Sequence, residues 1–70
     1  MKPKFRTDDR IRFDIRGDGT ITGNGTILGQ TSGCAEVTHY AVLYDVAIQF
    51  AGMVFKGGNL PDFVMENLYE

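Results

Sequence analysis

The sequence has only one cysteine, Cys34, only one histidine, His39, and no tryptophan. A lone thiol excludes an internal disulfide, so the fold is not a disulfide-stapled scaffold. One cysteine and one histidine are also too few for four-ligand metal coordination within one chain, and neither a metal site nor a cofactor is expected. An unpaired thiol is typical of a reducing compartment, which favours a cytoplasmic location.

Long apolar segments are absent as well. The most apolar stretch runs from Tyr40 to Phe55, where Asp45, Gln49 and Gly52 interrupt an otherwise apolar sequence. A membrane-spanning helix needs about 20 predominantly apolar residues, so no membrane contact is expected. No apolar run follows the basic residues near the N-terminus, and a signal peptide is therefore not expected either.

Basic residues are scarce beyond position 16, since the rest of the chain carries one Lys against six Asp and Glu residues. Residues 1–8 are predicted to form a tail, and residues 9–70 the domain. Between residues 4 and 13, basic side chains interleave with Phe5 and Phe13, a pattern that single-stranded nucleic-acid binders use. The net charge of −2 argues against that function, which stays an alternative hypothesis. Its candidate residues are Lys4, Arg6, Arg10 and Arg12.

Every second residue from Tyr40 to Phe50 is large and apolar, which is the period of a strand and not of a helix. We predict a strand over residues 37–50 whose bulky side chains all face the core. These side chains are Tyr40, Val42, Tyr44, Val46, Ile48 and Phe50. In a chain of 70 residues a single core supplies roughly 3–5 kcal/mol, and this apolar stretch is hard to bury alone. We therefore expect a homo-oligomer.

Turn residues separate the remaining predicted strands. Strands are expected at residues 9–15, 26–30, 53–56 and 65–69, with a short strand or arm at 20–22. Glycines between residues 17 and 29 are interpreted as turns and bulges, and those at 57 and 58 as the end of the fourth strand. Pro61 favours one helical turn before the last strand, and a C-terminal helix from Pro61 onward is the alternative. The predicted fold class is an all-β, five-stranded SH3-like barrel with a one-turn helix before the last strand.

Catalytic patterns are weak in this chain. His39 has no nucleophile at a diagnostic spacing, and a lone histidine on the less apolar face of a strand is typical of a surface or an interface. Gln49 shares that face, but about 33 Å of extended strand separates the two residues. They would form one site only across a symmetric interface. The candidate binding residues of this strand are His39, Tyr44 and Gln49.

Four segments together resemble bacterial SH3-like barrels of the type II dihydrofolate reductase family. They are Asp-Arg-Ile-Arg at 9–12, Gly-Thr-Ile-Leu-Gly at 25–29, His-Tyr-Ala-Val at 39–42, and Pro61 with Met-Glu-Asn-Leu at 65–68. The family shows Asp-Arg-Val-Arg, Gly-x-Ile-Val-Gly, Gly-Tyr-Ala-Val and Pro-x-x-x-Leu-Glu-x-Ile in the same order. The resemblance spans about residues 9–69 and implies the scaffold and a self-assembled state.

In that family four barrels surround one pore that binds dihydrofolate and NADPH through a Lys and a Val-Gln-Ile-Tyr strand. Here Phe13 stands at the Lys position, and Gln49 is followed by Phe50-Ala51 without the Tyr. The resemblance therefore implies a relative of the scaffold without its pore, of the kind carried on mobile gene cassettes. We expect a non-catalytic binding and assembly module for an unassigned protein or small-molecule ligand. An NADPH-dependent reductase with a shared pore, acting through Gln49, is the enzymatic alternative.

Overall fold

The computed structural model describes residues 4–16, 20–34 and 37–68, which form a single antiparallel sheet. Its elements are β1 (Arg10–Arg16), β2 (Thr20–Cys34), β3 (Val37–Phe50), β4 (Met53–Pro61), a 3₁₀ turn (Asp62–Val64) and β5 (Met65–Asn67). This confirms the all-β class, the five strands and the helical turn before the last strand. The alternative prediction of a C-terminal helix from Pro61 onward is wrong. The spatial order is β4-β3-β2-β1-β5, which is an open sheet with β4 and β5 at its edges. The predicted closure into a barrel is not confirmed.

The core lies on one face of this curved sheet and includes a residue from the predicted tail. Phe5 is 2% exposed, and its ring meets the ring of Tyr40 edge-on, with centroids 5.3 Å apart. The backbone N–H of Phe5 also donates to the Tyr40 hydroxyl at 3.3 Å. The segment before β1 is tied down further, because the Asp8 N–H donates to the Ile27 carbonyl at 2.7 Å. The other buried apolar side chains are Ile11, Phe13, Ile27, Val42, Leu60 and Met65.

The glycines of β2 do not break the strand, contrary to the prediction of separate strands at 20–22 and 26–30. Residues Thr20–Cys34 form one continuous strand with irregularities between Ile27 and Gly29 and between Gln30 and Ser32. A Cβ at Gly25 would lie 2.7 Å from the carbonyl oxygen of Leu43 on the neighbouring strand. Glycine here permits close backbone approach within the sheet and does not mark a turn.

Glycine has the same use in β4, which the sequence predicted to end before residue 57. The strand continues to Pro61, and a Cβ at Gly57 would lie 2.5 Å from the Val42 carbonyl oxygen. The predicted strands at 37–50 and 53–56 leave two residues for a hairpin turn, and these residues, Ala51 and Gly52, have φ values of 53° and 75°. Two consecutive positive φ values are those of a type I′ turn, whose twist matches that of a two-stranded hairpin.

The core prediction for β3 is correct only for its first half. Tyr40 and Val42 are buried and Tyr44 is half-buried, whereas Val46 is 79% and Phe50 52% exposed. Pairing of β3 with β2 ends at Tyr44, opposite Gly25, and the β3–β4 register shifts between Leu43 and Ile48. Beyond that point the described strands of the β3–β4 hairpin pair only with each other. Ile48 still packs against the core, but Val46, Phe50 and Met53 reach solvent.

Candidate binding surfaces

The four basic residues of the nucleic-acid hypothesis make different contacts in the structure. The Lys4 ammonium donates to the carbonyl oxygens of Asp62 and Met65, at 3.3 and 3.0 Å, and lies 5.2 Å from the centroid of the Phe5 ring. Lys4 thus connects the N-terminal segment to the 3₁₀ turn. Arg6 has an exposed side chain, and its backbone N–H donates to the Asp9 carboxylate at 2.9 Å.

Arg10 is part of the most specific polar contact in the described residues. Its guanidinium donates to both carboxylate oxygens of Asp45, at 2.7 Å for Oδ1, and to the hydroxyl of Thr26 at 2.8 Å. The hydrogen bond from Arg10 holds the pKa of Asp45 below its usual value. A bidentate pair of this kind fixes orientation better than a single contact does. Arg10 therefore links β1 and β2 to β3, which is a structural role.

Arg12 makes a looser contact, with its guanidinium 3.4 Å from the Glu66 carboxylate on β5. Both side chains are mostly exposed, and such pairs contribute little to stability because water competes for each partner. Of the four basic residues predicted to bind nucleic acid, Lys4 and Arg10 hold the fold together, while Arg6 and Arg12 are open to solvent. Nucleic-acid binding stays a prediction.

The three candidate residues of β3 lie apart along the strand. His39 is half-buried opposite Pro61, and Gln49 is exposed opposite Val54 near the far end of the hairpin. Tyr44 lies between them, with its ring centroid 5.1 Å from that of Phe13, and burial raises the pKa of its hydroxyl. One chain does not bring them together. Among the described residues, no cluster of three His, Cys, Asp or Glu side chains is placed to hold a metal ion.

The first surface that the structure reveals is the apolar hairpin, residues 46–55. Phe50 lies directly opposite Met53, and Ile48 directly opposite Phe55, so these four side chains share one face. Phe50, Met53 and Phe55 are exposed, as are Val46 and, on the other face, Val54. No charged residue occurs between positions 46 and 55. The alternation of β3 predicted Val46, Ile48 and Phe50 as core. Ile48 does pack against the core, whereas Val46 and Phe50 are exposed beyond Tyr44, where pairing with β2 ends.

The second surface is the β1 groove, which lies between the end of β1 and the 3₁₀ turn. β5 pairs with β1 only at Ile11–Phe13, so the groove opens beside Asp14–Arg16 and has a volume of about 470 Å³. The residues that line it include Arg12, Asp14, Arg16, Glu66, Phe63 and Val64. Phe63 is 71% exposed there. The sequence alone does not predict this groove, because its existence depends on how far β5 follows β1.

Comparison of the chain with protein-family models, with curated proteins and with solved structures finds no match. In the ranges that the structure describes, no helix has the length and apolar character needed to cross a membrane. The two surfaces and the fold are therefore the basis for any functional argument.

Proposed function

We propose that this chain is a non-catalytic binding and assembly module that associates with itself through the apolar hairpin. We further propose that its scaffold is of the SH3-like type found in type II dihydrofolate reductases, and that it is a cytoplasmic protein of the gene-cassette kind. The strand order and the helical turn before the last strand support the scaffold. The lone thiol supports the location.

The observation that carries self-assembly is the size of the exposed apolar hairpin surface. A fully exposed aromatic residue offers about 150–250 Å². Applied to the exposed fractions of Val46, Phe50, Met53 and Phe55, this range gives at most roughly 570 Å² of apolar surface, leaving out Val54 on the other face. Two such surfaces in full contact bury at most about 1,100 Å², close to the lower limit for a stable specific interface.

A second copy of this chain is the partner that fits the hairpin. The hairpin face is neutral and apolar, which matches an identical face rotated by a two-fold axis without juxtaposing like charges. The distal hairpin is also only two strands wide, and two-stranded ribbons are marginal in water without further packing. Contact with a second hairpin face supplies that packing.

The test is the mass in solution of the whole chain and of a variant with a polar hairpin. Multi-angle light scattering should give a multiple of the chain mass of 7.8 kDa at micromolar concentration. Phe50→Ser/Met53→Ser should weaken association by at least about a hundredfold, since two interface side chains cost about 1.4 kcal/mol or more each. The matched control is Leu28→Ser, which removes an exposed apolar side chain from β2, outside the hairpin.

Three results would contradict assembly through the hairpin. One is a mass of 7.8 kDa for the unmodified chain at all concentrations. Another is association that Phe50→Ser/Met53→Ser leaves unchanged, and the third is an equal loss in Leu28→Ser. Circular dichroism checks that each variant retains its strands, because all three substitutions replace side chains that are about half-exposed.

The enzymatic alternative predicts turnover of dihydrofolate with NADPH. One observation favours the reductase alternative: Gln49 is exposed in the hairpin, and a shared pore requires this residue at an interface between copies. Absorbance loss of NADPH at high protein concentration tests it directly. If turnover is observed and disappears in Gln49→Ala while the mass of the assembly stays unchanged, the protein is a reductase and the non-catalytic proposal is refuted. Absence of turnover above background supports the non-catalytic proposal.

A further inference from the structure

Along its last three residues the outer edge of β1 borders the groove, which Phe63 and Val64 of the 3₁₀ turn also line. β1 pairs with β2 as far as Arg16, but the described part of β5 covers the other side only from Ile11 to Phe13. Within the described residues, no strand pairs with the outer edge of Asp14–Arg16. A strand edge of this kind presents backbone donors and acceptors at the spacing of another strand, so the group that fits it is an extended peptide.

Two hydrogen bonds show which backbone groups point to the open edge. The Arg10 carbonyl accepts from the Leu68 N–H at 2.9 Å, on the β5 side, and the Asp9 carbonyl accepts from the Ile27 N–H at 2.9 Å, on the β2 side. Backbone groups alternate between the two sides of a strand. The N–H and C=O groups of Asp14 and Arg16 therefore point outward, and those of Ile15 point toward β2.

We propose that a second copy of this chain pairs with this edge, β1 against β1, antiparallel about a two-fold axis at Ile15. Asp14 then lies opposite Arg16 of the second copy, and Arg16 opposite its Asp14. Each Asp14–Arg16 pair exchanges both backbone hydrogen bonds across the interface, because both residues present these groups outward. The two Ile15 side chains form the central pair without backbone hydrogen bonds.

The charges select this register among the antiparallel ones. Moving the partner strand by two residues places Asp14 opposite Asp14, or Arg16 opposite Arg16, and like charges directly opposite are destabilising. Moving it by one residue places outward groups opposite Ile15, whose backbone groups face β2. Only pairing about Ile15 places opposite charges and outward hydrogen-bonding groups face to face.

The contacts that Asp14 and Arg16 make within one chain leave them available for this pairing. Their only mutual contact is 3.4 Å long, and the Arg16 side chain is 81% exposed. The other carboxylate oxygen of Asp14, Oδ1, is buried and has no hydrogen-bond donor in the described structure. A guanidinium from the second copy provides a stronger partner for this carboxylate. A strand beside the groove also covers the exposed Phe63.

The interface uses none of the residues of the apolar hairpin, so the two can be tested separately. In the Phe50→Ser/Met53→Ser background, the chain should form a dimer with twice the chain mass of 7.8 kDa. Asp14→Arg places two cations opposite each other at both ends, and Arg16→Asp places two anions there. Each single substitution should weaken the dimer by at least about a hundredfold.

Exchanging the charges of Asp14 and Arg16 gives the decisive test of this interface. The double variant Asp14→Arg/Arg16→Asp restores opposite charges in the same register and should dimerise like the parent. An equimolar mixture of the two single variants should form a heterodimer, because one strand then carries only Arg and the other only Asp at these two positions. Failure of both rescues would overturn the proposal, as would a monomeric parent in the hairpin-variant background.

A further pair of variants keeps the test decisive if the reversed charges impair folding. Asp14→Asn and Arg16→Gln remove one charge each without creating a like-charge pair, and should weaken the dimer by a smaller factor, about tenfold. Unchanged dimerisation in both would overturn the proposal. Assembly of the unmodified chain that is lost only on changing the hairpin would support the proposed function and reject this second interface.

Discussion

Replacing Phe5 by alanine tests whether the segment before β1 belongs to the core. The side chain is 2% exposed and packs edge-on against Tyr40. Truncation of a buried Phe costs about 3–5 kcal/mol, from lost burial together with the cavity that remains. A single core in a chain of 70 residues supplies no more than roughly 3–5 kcal/mol, so this one substitution removes most of that stability.

The assay is urea unfolding followed by circular dichroism in dilute solution. For a small domain the free energy of unfolding falls by about 1 kcal/mol per M of urea, so the urea concentration at the midpoint of unfolding should fall by about 3 M or more. The melting temperature should fall by more than about 12 °C, since 1 kcal/mol corresponds to about 4–8 °C at this size.

The matched control for Phe5→Ala is Phe63→Ala, the same change at a side chain that is 71% exposed. A substitution on the surface usually changes stability by less than about 0.5 kcal/mol. If Phe5→Ala and Phe63→Ala have equal, small effects, then residues 1–8 behave as the tail that the sequence predicted. That result would refute the argument that Phe5 is a core residue.

Three further substitutions probe other features of the fold. Because Arg10 lowers the pKa of Asp45, this pair stabilises the fold above the pKa of an unfolded aspartate and loses that effect as the pH falls through the lower folded value. Asp45→Asn should therefore remove part of the acid dependence of the urea midpoint, and an unchanged pH profile would contradict this. Gly57→Ala should cost about 1–3 kcal/mol, because its Cβ would lie 2.5 Å from a carbonyl oxygen of β3, whereas Gly29→Ala, which meets nothing within 4 Å, should be neutral in the same urea assay. Ala51→Asn should raise the free energy of unfolding by about 0.5–1 kcal/mol, since Asn tolerates the positive φ of 53° better than Ala does; a lower urea midpoint would argue against the type I′ turn.

The five strands and their succession along the chain could be predicted because their signals are local. The alternation from Tyr40 to Phe50 gives β3 with the bounds that the structure shows, and Pro61 precedes a single helical turn as expected. The glycines of β2 and β4 were misinterpreted, because their role depends on a neighbouring strand. A glycine that admits a carbonyl from across the sheet has the same sequence signature as one that ends a strand.

Exposure could not be predicted, since it depends on where pairing ends. Phe50 and Tyr40 occupy equivalent positions in the β3 alternation, yet one is half-exposed and the other buried. The difference arises from β2, which stops pairing with β3 at Tyr44. In the same way, the charges of Asp14 and Arg16 are visible in the sequence, but their open edge follows from the short reach of β5.

The two surfaces differ in chemistry, and this difference separates their contributions to assembly. Burial of the apolar hairpin strengthens in salts that are excluded from protein surfaces. Pairs between Asp14 and Arg16 weaken with ionic strength, since the screening length falls from about 10 Å at 0.1 M to about 3 Å at 1 M. Charged side chains usually protect a strand edge from association. Here Asp14 and Arg16 have opposite signs, so a two-fold rotation about Ile15 places each of them opposite its counterion in the second copy. Salt should therefore weaken association of Phe50→Ser/Met53→Ser, which retains the β1 edge, but should not weaken association of Asp14→Arg, which retains the hairpin. If salt changes the association of both variants equally, a single surface drives assembly.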